Sequence, residues 1–274
     1  MQITSDDCAG RRLRVNIVVL AKQVPDPEAI IQVPADGLKL EIEQKFASNV
    51  FDEYALEEAL RIKEQHGGKV RVITLGGGKA IEIIRTGIAM GADEGLLLED
   101  EAFLEGDGYA TALALSKAIE QEPFDIVLCG KQAIDDDRGE VGQMVAQFLG
   151  IPHVGGVTKL DITDGKAIAE SPSESGKIIS ETVLPALFTA QKGLNEPRVA
   201  PITGVMKAMK VTIPHLTPED LGLTRERLGA AGSKTQVARF TPPQKRRPVQ
   251  MIQGESKEAA REAVRILMDV ERVL

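Results

Sequence analysis

The order in which apolar runs and amphipathic stretches alternate constrains this chain more than any single residue does. Val15–Lys22, VNIVVLAK, reads as an apolar strand that ends in the polar loop KQVPDP. Pro25 and Pro27 hold that loop extended and out of any helix. IIQV, the turn PADG and LKLEI predict a hairpin over Ile30–Ile42 whose second strand is half-buried. Asn49 and Asp52 offer caps for a helix through about His66, closed by Gly67-Gly68. Its apolar residues Ala55, Leu56, Ala59, Leu60 and Ile62 recur at helical spacing. A strand over Lys69–Leu75 and the triple glycine Gly76–Gly78 lead into a helix from about Lys79 to Met90. Glu94–Leu98 is the next strand, and Asp107 caps a helix to about Gln121. Asp125–Gly130 then runs through a Gly- and Asp-rich loop to a helix entered near Gly139. Such alternation predicts a parallel sheet covered by helices, with right-handed crossovers.

After Pro152 the pattern changes. Val154–Ile162 alternates, TDGK makes a turn, and Ala167–Ala169 resumes the alternation. Lys177–Ala190 is extended, with Pro185 marking an edge or a break. These strands are expected to extend the same sheet as antiparallel neighbours. Residues 191–210 form an exposed loop with Pro197, Pro201 and Gly204, running into a short helix with a basic end. Residues 1–239 then make one α/β domain and residues 240–274 an arm. Thr241–Pro248, TPPQKRRP, is a stiff basic linker. Glu255–Leu274 is an amphipathic helix with Ala259, Ala260, Ala263, Val264, Leu267, Met268 and Val270 on one side. The expectation is that it docks on a partner chain.

The central loop carries the clearest chemical signal. In an open α/β sheet, ligands sit beyond the carboxyl ends of the strands, where helix N-termini offer free N–H groups. Asp135, Asp136, Asp137 and Arg138 occupy such a position. The acids leave anion binding to main-chain amides and Arg138. The alternative is a polar loop whose aspartates merely cap the helix. Gly76-Gly77-Gly78-Lys79 also falls at a strand end, but it is neither the phosphate-binding GxxxxGK[ST] pattern nor GxGxxG. A net charge of −8, 3% aromatic residues and no Trp argue against nucleic acid. Cys8 and Cys129 make neither a disulfide framework nor a metal site. His66, His153 and His215 are scattered and are expected at the surface. No apolar run approaches the ~18 residues of a membrane span, and MQITSDDCAGRR is not a secretory signal. A soluble intracellular protein without its own catalytic group is expected: a nucleotide holder and docking surface.

Several segments together resemble one family, the beta subunit of electron transfer flavoprotein. They are AKQVPD, NVFDEYALEEALRIKE, IRTGIAMGAD, GKQAIDDDRGEVGQ, and LPALFTAQKGLNEPR followed by MKAMK, standing in family order over about Val15 to Leu223. The resemblance implies a doubly wound adenine-nucleotide-binding fold paired with an alpha subunit that holds the redox-active FAD, one per heterodimer. The beta subunit would act as an electron carrier subunit rather than an enzyme, holding one structural AMP. The implied nucleotide contacts are Leu20, then Asn49, Val50, Phe51 and Asp52, then Leu75. A third group is Gly130, Lys131, Gln132, Ala133, Ile134, Asp135, Asp136, Asp137, Arg138, Gly139, Glu140 and Val141. The loop from about Ala190 to Lys210, with Leu194, Asn195, Glu196, Pro197, Arg198 and the apolar anchor Ile202, would recognise flavin dehydrogenases of the acyl-CoA dehydrogenase type. Electrons would leave towards a quinone reductase or another acceptor, in the cytoplasm or, in a eukaryote, the mitochondrial matrix.

Three departures bear on this. Gly139-Glu140-Val141-Gly142 stands where the AMP type has Asn-Gln-Thr-Gly. The electron-bifurcating type binds a second FAD, uses NADH and carries Asp-Gly-Asp-Thr-Ala-Gln-Val-Gly-Pro. Val141-Gly142 agrees with it, but Asp136 replaces its Gly, Arg138 its Thr and Gln143 its Pro. The usual Glu-Arg-Glu before the next hairpin reads Glu170-Ser171-Pro172. On balance the loop favours AMP.

Overall fold

The computed structural model describes residues 14–244, 249 and 251–273. Seven strands form one sheet: β1 (Ile17–Leu20), β2 (Val70–Leu75), β3 (Glu94–Leu98), β4 (Ile126–Gly130), β5 (His153–Val157), β6 (Ala186–Ala190) and β7 (His215–Leu216). Their order is β7-β3-β2-β1-β4-β6-β5 and every pairing is parallel. The strands are apolar at nearly every position because both faces are covered. In β1, Ile17 and Val19 face one core while Val18 and Leu20 face the other. The first core holds the apolar stripes of α1 (Val50–His66) and α2 (Ile81–Met90). The second holds those of α3 (Gly108–Ile119) and α4 (Val141–Leu149). This is the doubly wound sheet that the alternation predicts.

The later strands depart from expectation in one respect. β5 and β6 do join the main sheet, but in parallel. The antiparallel strands Lys159–Thr163, Lys166–Ser173 and Gly176–Val183 form a separate three-stranded sheet. That sheet buries Leu160, Ile162, Ala167 and Ala169 against the first core. Pro185 marks the break between Val183 and β6, where the chain passes from one sheet to the other. Alternation showed the strands; it carried no information about which edge they would find.

The hairpin is real, pairing Ile31 with Ile42 and Gln32 with Glu41. Its second strand is half-buried at Leu40 and Ile42 as expected, with Lys39 and Glu41 exposed between and beside them, whereas Ile30, Ile31 and Leu38 are exposed. Of the three histidines, His153 is not a surface residue. It lies half-buried on β5 with Nε2 buried and unpartnered, and burial lowers its pKa below the ordinary value.

Close packing at α2 and α5 (Ile202–Ala208) rests on missing side chains. A Cβ on Gly95 would strike Ile84, and one on Gly204 would strike the Ala89 carbonyl. Past Leu228, Ser233, Lys234 and Thr235 are fastened at the head of α3 by Asp107. Asp107 also caps that helix through the Ala110 amide, as its position predicts. The Phe240 N–H then donates to the Gly37 carbonyl at 2.8 Å, so the chain runs from α3 to the hairpin. Lys245–Pro248 of the basic linker, Cys8 and the first dozen residues lie outside the described residues. The terminal helix α6 (Ser256–Arg265) is amphipathic, and Val264, Met268 and Val270 on and beyond it are exposed.

Candidate functional site at the carboxyl edge of the sheet

β1 is the switch point of the sheet: the chain leaves it towards β2 on one side and later returns to β4 on the other. The loops after β1 and β4 therefore diverge, opening a crevice at their carboxyl ends, where such folds take ligands. α1 closes this crevice from one face, and its first turn does so with side chains. Asn49 is the helix N-cap by backbone, yet its side chain makes no capping bond. Its amide instead donates to the Gln132 carbonyl at 2.9 Å and accepts from the Ile134 N–H at 3.2 Å. Asp52 is turned the same way. One carboxylate oxygen accepts from the Lys22 N–H at 2.7 Å and the other from the Gly130 N–H at 2.8 Å. The two residues read from sequence as helix caps are thus clamps on the strand ends. The helix start placed them correctly; long-range geometry assigned them different bonds.

Burial drives the Asp52 pKa up to about 6, against the pull of its two main-chain donors and Asn49. Gly130 can donate to this carboxylate only because it has no Cβ, which would lie 2.5 Å from Asp52 Oδ1 and 2.6 Å from Phe51 Cβ. Leu20 is buried, so only its main chain at the strand end could meet a ligand. Val50 is exposed, and Phe51 and Leu75 are half-buried at the crevice edge. Lys131 Nζ sits 5.5 Å from the Phe51 ring centroid, within cation–π range. One residue before Leu75, the Thr74 hydroxyl is buried with no hydrogen-bond partner.

The loop itself is held by its own polar groups. The Gln132 amide donates to Asp137 at 2.7 Å, and the Asp137 N–H to the Ala133 carbonyl at 2.9 Å. Asp137 and Gly139 take positive φ, 52° and 59°. Lys22 Nζ reaches Asp135 at 2.8 Å and Asp136 at 3.4 Å, so two of the three acids are partly neutralised. Sequence reasoning missed Lys22, because its partners lie 113 and 114 residues away and no local pattern announces them. Among the described residues the Arg138 side chain pairs with Glu140 alone, at 3.4 Å and partly exposed, a contact weak enough to exchange for a phosphate. Beyond Gly139, the N–H groups from Glu140 to Gly142 open α4 with no described partner. A Cβ on Gly142 would lie 2.9 Å from both Cys129 Sγ and Thr189 Cγ2, so glycine seats this helix directly on the sheet. Free amides at a helix start, an orphaned buried hydroxyl and glycines at the closest approaches fit the phosphate and sugar of a nucleotide.

A cavity of about 600 Å³ lies at the opposite edge, lined by Arg14, Asn16, Lys69 and Arg71 at the amino ends of the strands. Its Arg71 is already paired with Glu94 and Glu122. The carboxyl edge, with its unused donors, is the better candidate.

The second group of predicted residues follows β6. Asn195 donates to the Tyr54 carbonyl at 3.0 Å and to Glu58 at 2.9 Å. The Arg198 guanidinium grips Glu57 at 2.8 and 3.0 Å and Glu64 at 2.5 Å. Burial opposes ionisation of Glu57, but Arg198 and Arg61 hold its pKa below the ordinary value. Asn195 and Arg198 therefore face α1, with Leu194 and Pro197 half-buried beside them and Glu196 exposed. Ile202, by contrast, is 80% exposed, with Val199, Met206 and Met209 exposed around it.

A doubly wound α/β protein with a polar crevice at its switch point, flanked by an apolar surface loop, is the class so defined. The Electron transfer flavoprotein domain matches residues 38–221. The chain is 43% identical to the electron transfer flavoprotein subunit beta of Thermoanaerobacterium thermosaccharolyticum, over 91% of this chain and 96% of that one. It is 37% identical to the subunit of the same name from Bacillus subtilis, over 95% and 100%. It is 41% identical to the Caffeyl-CoA reductase-Etf complex subunit CarD of Acetobacterium woodii, over 84% and 89%. The chain belongs to the electron transfer flavoprotein beta-subunit family. Membership implies electron transfer, an alpha-subunit partner and flavin in the complex. Among the described residues no helix is long and apolar enough to cross a membrane.

Asp52→Asn should cost about 1–3 kcal/mol, because an amide can accept from only one of the two buried N–H donors. The pH dependence has a definite sign. The native pKa lies above the ordinary aspartate value of 3.8, so the folded state binds the extra proton. This group's contribution to stability is therefore complete below about 4 and lost as pH rises through about 6. Urea midpoints between pH 4 and 7 should show that component in the parent and not in Asp52→Asn; identical profiles would refute it.

Proposed function

We propose that this chain is the beta subunit of a heterodimeric carrier that takes electrons from flavin dehydrogenases and passes them towards a quinone reductase or similar acceptor. In this reading the FAD sits in the alpha subunit, one per heterodimer, and the crevice at β1 and β4 holds one AMP. The observation that carries the nucleotide reading is the unpartnered run of amides opening α4, next to an arginine in an exchangeable pair. A monophosphate needs only such a cluster. A second FAD needs room for a pyrophosphate, and Asp136 puts a side chain and a negative charge where the bifurcating pattern has glycine.

Nucleotide released by denaturing the purified heterodimer should therefore be AMP, one equivalent by chromatography. Arg138→Ala should weaken its retention and lower the melting temperature, since a ligand bound only to the native state stabilises it. The alpha subunit's flavin should remain reducible. Two flavins per heterodimer, both bleached by NADH, would replace this reading with the bifurcating one.

Ile202 serves as the anchor for dehydrogenases in this reading, an exposed apolar side chain at the start of α5, next to a loop whose Asn195 and Arg198 are engaged with α1. Ile202→Ala should cost roughly 1–3 kcal/mol of dehydrogenase binding, as for truncation of an interface hot spot. Flavin content and assembly should not change. Unaltered electron-acceptance kinetics would remove the loop from the docking role.

The arm, with its uncovered apolar stripe on α6, is assigned to the alpha subunit. Truncation after Thr241 keeps the Phe240–Gly37 bond and should leave a folded domain that co-purifies poorly with alpha. A full-strength heterodimer by sedimentation would refute the assignment.

A further inference from the structure

The two candidate sites are fastened to one helix. At the start of α1, Asp52 and Asn49 hold the first residues of the loop after β4. One to two turns further along, Tyr54, Glu57 and Glu58 hold the loop after β6. Asp52 and Glu57 are five residues apart, about 7.5 Å along a helix. A second tie runs beside the first: the Lys131 N–H donates to the Ala190 carbonyl at 2.9 Å, joining the exits of the neighbouring strands β4 and β6. A loop pinned to α1 and to Ala190 cannot shift while both anchors stay in place.

The ends of this linkage differ in how firmly they are held. At the output, Glu57 is 3% exposed and accepts two bonds from the Arg198 guanidinium, one from Arg61 at 2.9 Å and the Arg198 N–H at 3.1 Å, an arrangement with one good geometry. At the input, Asp52 and Asn49 pin residues 130–134, but beyond them the acidic run rests on exposed contacts of Lys22, Gln132 and Glu140, which add little order of their own. The input is thus the end that a ligand has most scope to order.

We propose that a nucleotide seated in the crevice orders residues 191–201 through α1, with Glu57 as the positioning residue that passes the order on. This rests on the nucleotide reading above. The nucleotide would then set the docking surface as well as stabilise the fold. By linkage, anything that fixes the loop must also tighten nucleotide retention by the same factor.

The test uses the full heterodimer, stripped of nucleotide and reloaded with AMP, with binding followed by calorimetry. Amide hydrogen exchange is read in residues 194–201, and α3 serves as the internal control. AMP should slow exchange in 194–201 by roughly fivefold or more while α3 stays unchanged. Glu57→Gln should lose that protection and weaken AMP binding by no more than the same roughly fivefold factor, a matched pair that general destabilisation would not produce. If this variant fails to fold, Asn195→Ala removes the other anchor and carries the same expectation. AMP binding with no change in 194–201 overturns the coupling and leaves the nucleotide reading standing. If neither AMP nor FAD binds the stripped heterodimer, both fall.

Discussion

A buried carboxylate that bridges two strand ends organises this molecule. Asp52 lies out of water on the first turn of α1, and its two oxygens are taken by the N–H groups that follow β1 and end β4. Burying a charge in this way is costly unless every lone pair finds a donor. Here the donors are main-chain groups of the two central strands, which have no alternative partner at the point where the loops diverge. The helix, the sheet and the crevice are thereby set in one register. Gly130 is part of the same constraint, since any side chain there would displace the carboxylate.

The electrostatics of the crevice follow from that arrangement. A run of three aspartates is a poor place for an anion, and a net charge of −8 deepens the problem. The structure answers it locally. Lys22 leans on Asp135 and Asp136, the Gln132 amide engages Asp137, and the side chains are turned to one another. The amides at the head of α4 are left with the positive end of the helix dipole. Gly139 permits the turn into α4 by its positive φ, and Gly142 lets the start of that helix sit directly on the sheet.

The loop after β6 solves a different problem. It presents apolar side chains to solvent without collapsing onto its own core. Its polar residues are given to α1, with Arg198 clamped between Glu57 and Glu64, so the segment is tethered by charge. α5 then lies against α2 at Gly204, and Ile202, Met206 and Met209 are held outward. In the docking role proposed for it, a rigid mount of this kind would lower the entropy lost on binding.

The alternation of apolar strands and amphipathic helices was enough to define the doubly wound sheet, because a strand covered on both faces has to be apolar throughout. Local chemistry placed the Asp107 cap, the helix end at Gly67 and the exposed loop leading to Ile202. The family motifs, long and in order, marked the loop after β4. Tertiary structure decided the rest. It sent the antiparallel strands to a sheet of their own, because alternation says which face is apolar and not which edge is free. It turned Asn49 and Asp52 from caps into clamps, and it brought Lys22 to acids more than a hundred residues away. Those bonds join groups remote in the chain, and such partners are chosen by the packing of the sheet and its helices, which no local pattern encodes.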